Sequence, residues 1–259
     1  MSPLARSHMY ERFLLTHRAA AIALVAMLWV HIKPSQKLSW ALLISGTSFY
    51  GSASAFQFAR QVYLSVDNHL NVGRVEQVTG ERGLYVLEIR IARAWTIRPG
   101  TYVLFTILNW RYASFLQRHP FVVAWYETWN GESSIYLVSQ AQKGWTDRID
   151  SRLVDRKVWL DGPHGKPYDS GSCDLSGCDT VLLVAEESGI FAHLLILKSL
   201  VESFKFGTTK TRRVVLMWNT TGVYFDSIQR WFTQLIVDTN EDPRVSALLR
   251  CQQTPLTVP

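Results

Sequence analysis

Two histidines, His17 and His31, lie in an otherwise almost purely apolar run from Phe13 to Ile32. An ionisable side chain in hydrocarbon is costly, so its presence in such a run marks a functional position. As a helix the run is roughly 30 Å long, enough to span a bilayer. The step from His17 to His31 turns through about 1,400°, leaving the imidazoles about 40° apart on one face and about 21 Å apart along the axis. So placed, they could ligate two stacked haems. They could equally be interfacial histidines at the ends of a short span, and spacing alone leaves both readings open.

Other reactive side chains form no comparable pattern. Cys173 and Cys178 sit in a Gly/Ser-rich loop and Cys251 near the end of the chain. With no partner ligands nearby, they read as free thiols and make neither a disulfide framework nor a zinc site. No G-x-S-x-G nucleophile elbow occurs, so a serine hydrolase has no support. His8 and His69 read as solvated, His164 as a solvated turn residue and His193 as helix-surface packing. The net charge is +6, but Lys and Arg are scattered and form no stripe, which argues against a nucleic-acid partner.

Three kinds of element would have to hold these residues. A second apolar run, Leu38 to Phe58, is rich in Ser, Gly and Ala, small residues that let membrane helices approach closely. Residues 10–60 thus read as a transmembrane hairpin, with spans at about 13–32 and 38–58. The link Lys33-Pro34-Ser35-Gln36-Lys37 forms its tight loop, and no signal-peptide cleavage site follows the first run. Arg6, Arg12 and Arg18 before it, with Arg60 and Arg74 after the second run, favour both termini in the cytosol.

From Asn71 the pattern changes to alternating apolar and polar residues, with turn signals at Thr79-Gly80, Arg82-Gly83, Pro99-Gly100 and Trp129-Asn130-Gly131. Six or so strands without helices, ending at Val158 to Leu160, predict a small closed antiparallel barrel over 67–167. Beyond it, VLLVA (Val181 to Ala185) reads as a buried parallel strand and a helix follows Gly189 to about Phe204. RRVVLMW (Arg212 to Trp218) gives a second strand, and Ser227 to Val237 a second helix. Residues 178–259 are therefore α/β, and the whole chain combines α/β and all-β parts behind a helical hairpin.

Several strings resemble one family in order and spacing. RHPFVVAW (Arg118 to Trp125) is similar to the H-P-F-[ST] motif of fungal ferric reductases and NADPH oxidases, and RPGTYVLF to the P-G-Q-Y strand before it. KGWT (Lys143 to Thr146) resembles their G-x-T, LDGPHG their "EGPYG" turn, and LLVAEESGIFAHLLILKSLVE their nicotinamide loop and helix. YERFLLTHRAAAIALVAMLWVHI resembles their fifth membrane helix, whose two histidines ligate haem. The resemblance runs from about Tyr10 to Asp238.

It implies a ferredoxin-reductase-type barrel that binds FAD, then a truncated Rossmann-like domain that binds NADPH. Flavin contacts would come from Tyr102, His119, Pro120, Phe121 and Val122, where the family's hydroxyl is replaced by an apolar side chain. Gly144, Trp145 and Thr146 would meet the pyrophosphate, and Gly162, Pro163, Gly189 and Ile190 the nicotinamide cofactor. His17 and His31 would ligate haem b, as half-sites, since the family supplies the other ligands from a helix absent from this chain. The implied activity is a ferric-chelate reductase passing electrons from NADPH through FAD and haem to an acceptor such as ferric iron. The implied location is the plasma membrane, with the lipid bilayer around the hairpin and the FAD domain in the cytosol. A truncated, non-catalytic, membrane-tethered relative, partner of a full-length reductase, is the rival expectation. A soluble diaphorase is a third.

The chain departs from the family at the nicotinamide loop. A phosphate cradle needs glycines after the strand so that backbone amides face the anion. Here stand Glu186-Glu187-Ser188-Gly189-Ile190. At 5 Å and an effective dielectric of about 20, each carboxylate opposes a phosphate by roughly 3 kcal/mol before screening. A helix dipole returns only about 1 kcal/mol. Weak NADPH binding is expected unless both glutamates turn away. The family's closing strand, helix and flavin-covering aromatic are also not expected in QQTPLTVP.

Overall fold

The computed structural model describes residues 3–33, 35–66, 71–77, 84–93, 95–107, 118–140, 156–168, 175–220, 225–240 and 249–255. Two long helices come first, α1 (Pro3–His31) and α2 (Lys37–Ser65). They coincide with the two expected spans, and their turn is tied by the indole of Trp40, which donates to the Ile32 carbonyl at 3.1 Å and meets Trp29 edge-on. Among the described residues, however, no helix is long and apolar enough to cross a membrane. Ser, Gly and Thr recur along α2. What the helices do show is apolar side chains left bare: Ile22, Leu24, Met27, Val30, Leu42, Phe49 and Phe56 are all exposed.

Six strands follow: β1 (Val72–Gln77), β2 (Leu84–Ile91), β3 (Tyr102–Ile107), β4 (His119–Trp129), β5 (Glu132–Gln140) and β6 (Arg156–His164). They close into a barrel of order β1-β2-β5-β4-β3-β6, paired antiparallel throughout. The expected barrel is present. Closure follows from alternation: Leu87, Ile89, Val103, Phe105, Val123, Ile135, Leu137, Val158 and Leu160 point inward and fill it, as the two-residue period of a strand requires. Asn130 and Gly131 both have positive φ, 50° and 81°, the geometry of the tight hairpin turn that Asn-Gly favours. The last strand runs longer than expected. Asp161, Gly162, Pro163 and His164 form no free turn but extend β6, with His164 opposite Tyr102.

α2 is joined to β6 by polar contacts. Ser65 Oγ accepts from the Leu160 amide at 3.1 Å and lies 3.3 Å from the Leu160 carbonyl, and Phe58 meets Trp159 edge-on. Buried Asn71 extends the seam: its carbonyl accepts from the Val158 amide and its Oδ1 from the Ala92 amide.

The α/β layer holds β7 (Thr180–Glu186), α3 (Phe191–Lys205), β8 (Arg213–Thr220), α4 (Phe225–Asn240) and β9 (Leu249–Pro255). The strands are parallel in the order β7-β8-β9. A third strand contradicts the expectation that the tail carries none: LRCQQTP lacks an apolar pattern and is a strand because the open edge of β8 pairs it. The sheet's buried face, with α3 and α4, packs on the outside of the barrel around Trp231. That indole is fully buried, with Trp125, Tyr136 and Phe191 at ring distances of 6.1, 5.7 and 6.3 Å. The expectation of a wholly buried first strand is corrected as well, since Leu182 and Val184 on the opposite face are exposed.

Candidate functional site

At one end of the barrel β3, β4 and β6 lie side by side, and the register fixes what meets there. Tyr102 is opposite Val122 on β4 and opposite His164 on β6. Its ring sits 5.5 Å from the His164 imidazole. In a chain whose other barrel aromatics are mostly packed away, Tyr102 is 37% exposed and Val122 45%. An irregularity between Tyr102 and Leu104 in the pairing with β6 re-aims the side chains here, as bulges beside sites commonly do. Gly165, with φ of 95°, makes the close approach possible: a Cβ there would lie 3.1 Å from the Gly100 carbonyl and 3.4 Å from the Tyr102 ring.

Along β4 the H-P-F residues divide by face. Pro120 and Val122 point outward, while His119 and Phe121 are half-buried, Phe121 edge-on to Phe105 at 5.9 Å. Burial lowers the His119 imidazole to about 4 from its ordinary 6.5, because the charged form loses its hydration. His119 is therefore neutral at pH 7, and its side chain offers no cation to a phosphate.

The cations come from residues that sequence reasoning passed over. Asp161 is buried, and three basic groups surround it: Arg60 at 3.6 Å, Arg118 at 3.9 Å and His164 at 3.4 Å. Arg60 also donates to the Gly162 carbonyl at 3.0 Å. His164, expected to be a solvated turn residue, is half-buried in this cluster. Arg118 stands just ahead of the H-P-F string, a usable signal. Arg60 and Asp161 are a hundred residues apart and carried none. Two fixed cations around one carboxylate leave this edge positive beside an exposed aromatic face. That donor set fits a flat ring system carrying phosphates.

The residues assigned to the nicotinamide cofactor are not brought together in the same way. Gly162 is buried, and a Cβ there would lie 3.1 Å from Val103, so it serves packing against β3. Pro163 is exposed beside it. Ile190 is fully buried in the core around Trp231 and cannot touch a cofactor, which corrects its assignment. Gly189 is exposed with open space around it. The turn Glu187–Ile190 offers one glycine beside two carboxylates. It does not fit a phosphate cradle.

His17 and His31 are both exposed on α1, His17 stacked on Phe13 at 5.8 Å. Among the described residues no group of three or more His, Cys, Asp and Glu side chains converges as a metal site would. Gly144, Trp145 and Thr146 lie outside the described residues. His193 sets Nε2 3.0 Å from the Val184 carbonyl, and Cys178 is exposed and outside any disulfide.

An FAD-binding domain family matches residues 75–168, which takes in this edge of the barrel from Tyr102 to His164. The chain is 25% identical over 235 residues to a probable cell surface ferric reductase of Aspergillus oryzae, covering 83% of this chain and 29% of that protein. It is 24% identical over 199 residues to the ferric/cupric reductase transmembrane component 7 of Saccharomyces cerevisiae, covering 76% and 30%. Among solved structures it is similar to a ferredoxin reductase of carbazole 1,9a-dioxygenase, with TM-score 0.49, 16% identity and 71% and 48% of the two chains covered. The barrel thus carries an FAD-binding domain. The chain is similar to these ferric reductases at 24–25% identity, and it spans about 30% of the length of those two curated relatives.

Proposed function

We propose that this chain is a membrane-associated flavoprotein of the ferric reductase kind, with FAD held on the barrel edge at Tyr102. The observation that carries the reading is the exposed Tyr102 ring, flanked by Val122 and His164 and set beside the Arg118–Asp161 cluster, within the matched FAD-binding residues. Tyr102 and Val122 would pack on the flat ring, and Pro120 would fix the strand beneath it. His119 and Phe121 would anchor β4 from inside. Arg118 would offset phosphate charge, with Gly144, Trp145 and Thr146 as further pyrophosphate contacts. Bound FAD would supply the exchange between a two-electron donor and a one-electron acceptor such as a ferric chelate. Val122 has no hydroxyl to donate to the ring, so this chain's flavin would differ in potential from that of relatives that have one.

The domain reading that goes with it is a membrane hairpin over 10–60, the FAD barrel over 67–167 and an α/β unit over 178–259. The bare apolar side chains of α1 and α2 support contact with a lipid bilayer, with the plasma membrane as its location and the barrel in the cytosol. His17 and His31 would each offer one ligand to a separate haem b, as half-sites. The test is the absorption spectrum of the full chain purified in detergent. Flavin bands that bleach with dithionite and recover on adding ferric citrate support the reading. A chain without flavin bands after incubation with excess FAD overturns it.

A second reading is favoured by Glu186 and Glu187 at the end of β7. With that turn unfit for phosphates, the chain would be a non-catalytic relative that holds FAD and associates with a full-length reductase. A flavoprotein whose bands never bleach with NADPH would fit this second reading.

A further inference from the structure

The carboxyl ends of β7 and β8 carry a turn that the flavin edge leaves unused. In open α/β sheets, ligand phosphates sit outside the strand ends, on the amides of the following turn and helix. Here β7 ends at Glu186, and the turn Glu187–Ile190 leads into α3. Glu187 holds a φ of 45°, in the left-handed region where glycine is the usual occupant. Its main chain is fixed, because the Trp218 indole donates to its carbonyl at 3.0 Å. Its side chain is fixed too, with Thr220 Oγ1 donating to Oε2 at 3.3 Å. Trp218 and Thr220 are alternate residues of β8, so both contacts draw Glu187 over the end of the neighbouring strand. Glu186, in contrast, is exposed to solvent. The imidazole of His193, on the first turn of α3, meets the Val184 carbonyl.

The two glutamates are therefore not equivalent. Glu186 is free to turn into water, where its charge is screened. Glu187 is tethered at both ends, and its carboxylate stays at the strand ends. We propose that Glu187 is the specificity-determining residue of this crevice: a carboxylate pinned onto β8 that excludes phosphate-bearing dinucleotides. This deepens the flavoprotein reading, on which it rests, by stating that NADPH has no place in this chain's α/β layer while Glu187 stands.

The test uses the full chain in detergent, with FAD occupancy measured first from flavin absorbance. Binding of NADPH and of adenosine 2′,5′-bisphosphate is then followed by calorimetry for wild type, E187G, E187Q and E186G. Wild type should show no saturable binding below millimolar ligand. Glu187→Gly removes the charge and suits the backbone, and should bind at least about tenfold more tightly. Glu187→Gln keeps an acceptor for Thr220 and loses only the charge, so it should fall between the two. It also carries the test should E187G fail to fold. Glu186→Gly should match wild type. Micromolar binding by wild type, equal weakness in both Glu187 variants, or a gain confined to E186G would each overturn the proposal. If nucleotide binding appears in E187G but no flavin is held, the flavoprotein reading fails while the role of Glu187 stands.

Discussion

Tyr102, Val122 and His119 show how one strand pair divides labour between a surface and a core. Alternation along β4 sends Pro120 and Val122 outward and His119 inward, so the same short string supplies both a shelf and its anchor. The inward histidine has a measurable consequence. Unfolded, its imidazole titrates near 6.5, and folded near 4. Between those values the unfolded chain binds the extra proton, so stability is intact above about pH 6.5 and falls as the pH is lowered towards 4. His119→Gln should flatten that part of a melting-temperature-against-pH profile, and an unchanged profile would show that another group sets it. The H-P-F string and Tyr102 were legible because each is a local pattern on a strand. The cluster of Arg60, Arg118, His164 and Asp161 was not. It exists only once α2 is laid along β6, and no spacing in the chain announces that docking. Ile190 misled for the opposite reason: its place after Gly189 is right for a phosphate turn, but its side chain is a core residue.

At the scale of elements, the α2–β6 seam decides how the helical hairpin is held to the barrel. Ser65 Oγ is a hydrogen-bond partner of the Leu160 amide in a fully buried position. Ser65→Ala leaves that amide without its partner and should cost about 1–3 kcal/mol. A denaturant titration of the full chain reads that loss, and a change within about 0.5 kcal/mol would mean that water replaces the hydroxyl. The barrel strands were readable because one face of each is buried and the other is not. Strand β9 was hidden, since Leu249–Pro255 has no such alternation and owes its conformation to pairing with β8. The hairpin was readable as two helices.

For the molecule as a whole, Trp231 is the joint between barrel and α/β layer. It is fully buried against Trp125 and Tyr136 of the barrel and Phe191 of α3. Trp231→Ala should cost about 3–5 kcal/mol, enough to loosen the layer from the barrel. Limited proteolysis between 205 and 225 would then speed up relative to wild type, and unchanged cleavage would mean that the aromatic cluster does not hold the two together. The order of helices, barrel and α/β layer was legible from the shift between periodicities. The packing of the layer on the barrel was not, because it rests on aromatics from four separate elements. The central claim, that FAD lies on the barrel edge at Tyr102, is tested most directly by titrating the full chain with FAD and following quenching of flavin fluorescence. Saturable binding that weakens roughly tenfold in Tyr102→Ala, for a lost aromatic contact of about 1.5 kcal/mol, is the predicted result. Absence of saturable binding, or equal affinity in wild type and Tyr102→Ala, would contradict it.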